Sequence, residues 1–158
     1  MKYDDISWHT GGNYPDDLPP ENAATHIGMF LAWCLYNGFA SDELKELSGV
    51  DIYKVTSGTM TGAQFLAKNC DGKFWDTDLT ETGQAFAAEY YMGNAGNAKT
   101  VGSYMRDYCG TLDEKAEKTG VDYPTPYHYE DMWENYVLVA AKIDERFAVW
   151  KDTQERNA

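Results

Sequence analysis

The chain has 158 residues, 43% of them hydrophobic and 15% aromatic. That length fits one domain able to bury a core, and the composition excludes a disordered chain. Its net charge is −13; spread over roughly 8,000 Å² of surface, a field of that sign repels nucleic acid and anionic membrane and steers basic proteins inward.

To about Pro20 the chain reads as irregular, because Gly11-Gly12-Asn13, Pro15 and Pro19-Pro20 break any long element. Tyr3, Ile6, Trp8, Tyr14 and Leu18 would pin that stretch to the core. The two prolines suit a helix start and Gly38 a helix end, so a first helix is expected from about Glu21 to Asn37. Ala23, Ile27, Phe30, Leu31, Cys34 and Leu35 follow helical spacing, and Met29, Ala32 and Trp33 fill the other face. A helix that is apolar all round is buried on several sides and reads as the hub. No Asp, Glu, Lys or Arg lies between Asn22 and Ser41, but His26, Asn37 and two glycines in that run, without basic flanks, favour a core helix over a spanning one.

Ser41 can cap a short second helix that stops at Gly49, with Leu44 and Leu47 facing in. Ile52, Tyr53 and Val55 read as a short extended piece. Thr61 with Gln64 has capping-box spacing and opens a helix carrying Phe65 and Leu66, which the Asp71-Gly72 turn ends. Asp78 with Glu81 opens the next, which carries Phe86, Tyr90 and Tyr91. Gly93 to Asn97 reads as a loop. Val101, Tyr104, Met105 and Tyr108 mark one helical face closed by Gly110. Thr111 with Glu114 opens a charged, solvated helix to Thr119, and Val121 to Tyr129, with Pro124 and Pro126, is extended. The last helix has the clearest stripe: Trp133, Tyr136, Val137, Ala140, Ile143, Phe147 and Trp150, with acids near its start and Arg146 and Lys151 near its end. The expected fold is mainly α: a single compact helical domain over 1–158, with five to seven helices around the buried N-terminal hub and the long C-terminal helix.

Cys34, Cys70 and Cys109 are odd in number and lack paired spacing, which argues against a disulfide framework and for a reducing compartment. Asp4 and Asp5 stand where a secretion signal needs positive charge, so the expected location is cytoplasmic. The sequence has no HExxH, GxSxG, Walker-type or GxGxxG motif. Cys34 lies between Trp33 and Leu35, and Cys70 precedes Asp71, settings that disfavour a thiolate. His9, His26 and His128 have no metal-ligand spacing. Nothing prevents His9 and His26 from meeting in space and holding a metal with Asp4 or Asp5, as a small metal-dependent hydrolase would need. Yet a histidine inside an apolar helix, as His26 is, is more often a hydrogen-bonded core residue. Asp76-Thr77-Asp78 resembles acidic pairs that hold divalent cations, but two acids at a helix entrance are more often a cap.

The acids favour the first third, where Lys2, Lys45 and Lys54 are the only cations up to Thr56. Aromatics interleave with them from Tyr3 to Trp8, and again from Phe74 to Asp78. Aromatic anchors within an acidic rim suit a basic partner. The candidate partner-binding residues are Asp4, Asp5, Trp8, Asp16, Asp17, Trp75, Asp76 and Asp78; no catalytic residue, cofactor or metal is expected.

Several strings carry a resemblance: Tyr3-Asp4-Asp5, Trp8-His9, the run from Leu18 to Trp33, Cys70-Asp71-Gly72-Lys73, Phe86 to Tyr91, and Asp131 to Tyr136. Together they resemble a family of small bacterial proteins known as a domain of unknown function and associated with polymorphic and type VI secreted toxins. The likeness covers most of the chain, and Thr25 to Trp33 is its most specific part. It brings no catalytic or binding residues with it. It implies an immunity protein, a cytosolic antidote that binds a cognate toxin with a basic active-site cleft, and not nucleic acid or membrane. An acidic nucleic-acid mimic that blocks a DNA-binding protein would use the same physics.

Overall fold

The computed structural model of the protein describes residues 1–93 and 101–158. In chain order its elements are β1 (Lys2–Asp5), α1 (Ile6–His9), α2 (Thr25–Tyr36), α3 (Asp42–Thr56), α4 (Gly62–Asn69), β2 (Lys73–Trp75), α5 (Glu81–Tyr90), α6 (Tyr104–Thr119) and α7 (Trp133–Arg156). Short 3-10 turns cover Pro20–Ala24, Asp76–Asp78 and Pro126–His128. The fold is mainly α, as expected, and β1 and β2 form one antiparallel pair.

The charge-free run makes α2 the hub. Thr25 through Leu35 are all buried, because α3, α4 and α7 cover it on different sides. Phe30 is fully buried, and its ring lies within 6.3 Å of those of Trp33, Phe74, Phe86, Tyr90, Tyr91 and Tyr104. Burial of each such ring contributes about 1.5–3 kcal/mol, and edge-on or offset ring pairs add to it. The crossing of α2 with α4 needs glycine twice. A Cβ on Gly28 would lie 2.1 Å from the Ala63 amide nitrogen, and one on Gly62 would lie 1.8 Å from the Gly28 carbonyl oxygen. The two backbones therefore touch, with no room for a side chain between them.

The N-terminal stretch is more regular than its prolines and glycines suggest. β1 pairs Lys2 with Trp75, Asp4 with Phe74 and Asp5 with Lys73, and the register slips between Lys2 and Asp4. That bulge breaks the in–out alternation, so Tyr3, Asp4 and Asp5 are all buried. Asp5 then caps α1: its Oδ1 accepts from the Ser7 amide at 2.9 Å and the Ser7 hydroxyl at 2.7 Å. Local sequence carried no strand signal here, because the partner strand lies about seventy residues away.

Other expectations need correction. The hub starts as a 3-10 turn and becomes α-helical only at Thr25. Ser41 does cap α3, accepting from the Leu44 amide. The helix does not stop at Gly49; it kinks at Ser48, where φ is −134°, and continues through Ile52, Tyr53 and Val55 to Thr56. The Thr61–Gln64 capping box is present. Thr80, not Asp78, caps α5; Asp78 instead accepts from the Trp75 amide. Gly110 sits inside α6, and Thr111 and Glu114 lie mid-helix; burial of Tyr108, Leu112 and Ala116 along one face carries the helix past the glycine to the left-handed Gly120. Val121 to Tyr129 includes the Pro126–His128 turn. On α7 the buried stripe runs through Asn135, Val139, Ile143 and Trp150, while Trp133 and Val137 are exposed. Asn94 to Asn97 of the expected loop lie outside the described residues. No helix among the described residues is long and apolar enough to cross a membrane.

Candidate functional site

Two features meet at β1 and α1, one facing out and one facing in. On the outside, the β1–β2 pairing sets Trp75 opposite Lys2, and Trp8 of α1 also reaches the same lysine. The Lys2 ammonium lies 4.9 Å from the Trp8 ring centre and 5.5 Å from that of Trp75. Both indoles remain open, 57% and 40% exposed. Asp76 and Asp78 follow directly in the turn after Trp75. Asp76 pairs with the Met1 amino group at 2.7 Å, and Asp78 is half-buried, which pushes its carboxyl pKa up.

The expected binding residues thus divide. Trp8, Trp75, Asp76 and Asp78 gather around β2. Asp16 and Asp17 are exposed on the loop before Pro19, where Asp17 meets His128 Nε2 at 2.9 Å. Asp4 and Asp5 do not offer carboxylates to a partner, because they are only 7% and 5% exposed. Asp5 is held by Lys2 at 2.6 Å as well as by Ser7.

Asp4 faces inward, and there it meets both histidines that the sequence left apart. His9 Nε2 lies 2.6 Å from Asp4 Oδ1, and His26 Nε2 lies 3.4 Å from Oδ2. The two imidazoles stand edge to face with centres 4.6 Å apart. One ligand atom from each of Asp4, His9 and His26 falls within 4.8 Å of the other two. Tyr91 donates its hydroxyl to Asp4 Oδ2 at 2.5 Å, and the Asp5 amide donates to Oδ1 at 2.8 Å. Tyr127 bonds His9 Nδ1 at 2.8 Å and is itself anchored by Asn22, whose amide donates to the Tyr127 carbonyl oxygen.

The electrostatics follow from that geometry. Burial pushes the Asp4 carboxyl up, but the nearby His26 ring and the hydrogen bonds with His9 and Tyr91 outweigh it and leave the group well below the usual carboxylate range. Burial drives the His26 pKa down, against the pull of Asp4. The Tyr91 phenol is pushed far up by burial and by Asp4, so it remains a donor. His26 is not the satisfied core histidine the sequence suggested: its Nε2 is buried and, among the described residues, has no hydrogen-bond partner. The thiols behave as expected, free and protonated; burial pushes Cys70 up to about 12 and Cys34 beyond that.

Tyr91 and Tyr127 were missed as parts of this centre. Helical spacing marks Tyr91 only as a helix-face residue, and the prolines beside Tyr127 mark its segment only as extended. On α3 Leu44 faces in as expected but Leu47 does not: with Val50 and Tyr53 it forms a ridge in which each residue is more than 70% exposed. Their spacing of three is helical, and it becomes legible only if the helix is carried past Gly49.

Fold and centre together define a mainly α-helical protein that buries a carboxylate between two histidines beneath a tryptophan-bearing surface. Residues 2–123 match a family described as a domain of unknown function, DUF7832, and the chain belongs to that family. No curated protein and no solved structure matches it.

Proposed function

We propose that this protein is an immunity protein, which binds and neutralises a cognate secreted bacterial toxin in the cytoplasm. The observation that carries the reading is the pair of exposed indoles, Trp8 and Trp75, set on one surface in a chain of net charge −13. The resemblance to proteins of toxin loci points the same way. A partner with a basic cleft would be drawn in by the overall field and retained by the aromatic anchors. Asp4, Asp5, Asp51 and Asp107 are buried, which removes them from any phosphate-like array. That favours an anchored protein complex over a nucleic-acid mimic, whose binding would fall steeply with salt.

The test is titration with the toxin encoded beside this gene, using calorimetry and a toxicity assay on co-expression. The wild type forms a one-to-one complex and protects the cell. The Trp8→Ala/Trp75→Ala double variant binds at least about 100-fold more weakly, since truncating central aromatic anchors costs about 2 kcal/mol or more each. A toxin that remains fully active with no complex, or a double variant with unchanged affinity, contradicts the proposal.

A further inference from the structure

The way this chain treats its buried carboxylates singles out one of them. Among the described residues four aspartates are buried: Asp4, Asp5, Asp51 and Asp107. Asp5 has Lys2 at 2.6 Å, Asp51 has Lys68 at 2.9 Å and Lys54 at 3.4 Å, and Asp107 has Arg146 at 2.7 Å. Asp4 faces two imidazoles and, among the described residues, no lysine or arginine. A buried charge without a compensating cation is costly.

His26 supplies the second observation. It is 3% exposed, its Nε2 lies 3.4 Å from Asp4 Oδ2, and that nitrogen has no hydrogen-bond partner among the described residues. A protonated Nε2 would waste its donor there, and a bare Nε2 would set its lone pair against those of a carboxylate. A cation between them removes both difficulties.

We infer that Asp4, His9 and His26 form a binding site for a divalent first-row transition metal of the zinc class. Two imidazole nitrogens and one carboxylate oxygen are ligands this class prefers, whereas calcium and magnesium take oxygen. Two ligand atoms each about 2.1 Å from a tetrahedral ion stand about 3.4 Å apart. The spacing of His26 Nε2 from Asp4 Oδ2 already has that value; His9 Nε2 contacts the other oxygen, Oδ1, at 2.6 Å, so the carboxylate or the His9 ring must turn to bring both nitrogens onto one oxygen. The surroundings suit ligation. With an ion on His9 Nε2, the proton sits on Nδ1 and is donated to the Tyr127 oxygen, which fixes the tautomer. Tyr91 orients the carboxylate. His9 is partly exposed and sits nearest solvent, so it gives the ion its way in. The ion would tie β1 and α1, which carries Trp8 next to His9, to α2, and it does so whether or not the Trp8 surface binds a toxin.

The test uses the full chain without a histidine tag, stripped with a chelator and titrated with Zn²⁺ against a chromophoric competitor. Elemental analysis and thermal unfolding run in parallel. One zinc per chain binds, and the unfolding midpoint rises with it. His9→Gln, a change at a partly exposed position confirmed as folded by circular dichroism, loses the stoichiometric zinc and the rise. Its affinity falls by more than the roughly 10–100-fold that follows loss of a group merely hydrogen-bonded to a ligand. His128→Gln, at the separate pair with Asp17, leaves both readouts as in the wild type. No zinc in the wild type, or zinc retained in His9→Gln, or zinc lost only in His128→Gln, overturns the inference.

Discussion

Asp107 and Asp4 are equally buried, and neighbouring tyrosines serve them: Tyr90 donates to Asp107 at 2.8 Å and Tyr91 to Asp4 at 2.5 Å. There the likeness ends. Arg146 closes on both Asp107 oxygens, Nε to Oδ2 at 2.7 Å and a second nitrogen to Oδ1 at 3.0 Å, so that carboxylate is neutralised by a permanent cation. Asp4 has two histidines, and the Nε2 of one of them has no hydrogen-bond partner among the described residues. The first arrangement is complete within the chain and holds α6 to α7. The second has its donors arranged for something the side chains do not supply. Buried polar groups differ in meaning according to whether their charge is balanced locally.

The comparison can be broken most severely at the hub, which carries His26. Gly28→Ala drives a methyl into the α4 backbone and costs about 3 kcal/mol or more in chemical denaturation, with or without zinc. Next comes the arginine. Arg146→Met leaves Asp107 buried without its cation and costs about 3 kcal/mol, the lower end for such a loss because the side chain is partly exposed; zinc does not restore it. The paired tyrosine changes sharpen the contrast. Tyr90→Phe and Tyr91→Phe each cost about 1–2 kcal/mol, but only Tyr91→Phe also weakens zinc binding, by about tenfold or more.

A third buried carboxylate supplies the pH test. Hydrogen bonds from Lys68 and Asn69 hold the Asp51 pKa at about 2, below its ordinary value near 3.8. A depressed pKa in the folded state gives stability that is present above pH 4 and lost as pH falls towards 2. Unfolding midpoints measured across that window drop in the wild type and drop less in Asp51→Asn. The smallest effect is expected at the rim, where His128→Gln removes an open pair with Asp17 and changes stability by less than about 0.5 kcal/mol.

Some of this was legible in the sequence. The run without charges from Asn22 to Ser41 announced the hub, the Thr61–Gln64 spacing announced a capped helix, and the alternation of acids with aromatics led to Trp8 and Trp75. Elsewhere local signals pointed the wrong way. Gly49 and Gly110 look like helix ends, yet burial of Val55 beyond the first, and of Leu112 and Ala116 beyond the second, carries both helices onward. The centre itself was named only as a geometric option, with Asp4 and Asp5 equally placed. What decides between them is the bulge in β1 and the capping role of Asp5, and both depend on β2, a partner remote in sequence. The strings that carry the family resemblance, Tyr3-Asp4-Asp5, Trp8-His9 and Thr25-His26, hold all three converging residues. Nothing within those strings says that they meet.

The most direct measurement of the account is anomalous diffraction at the zinc edge from crystals of the full chain soaked in Zn²⁺. One strong peak is expected about 2.1 Å from His9 Nε2 and from His26 Nε2, with an Asp4 oxygen completing the set. A clean map around those three side chains, or a peak found only beside His128 and Asp17, would contradict it.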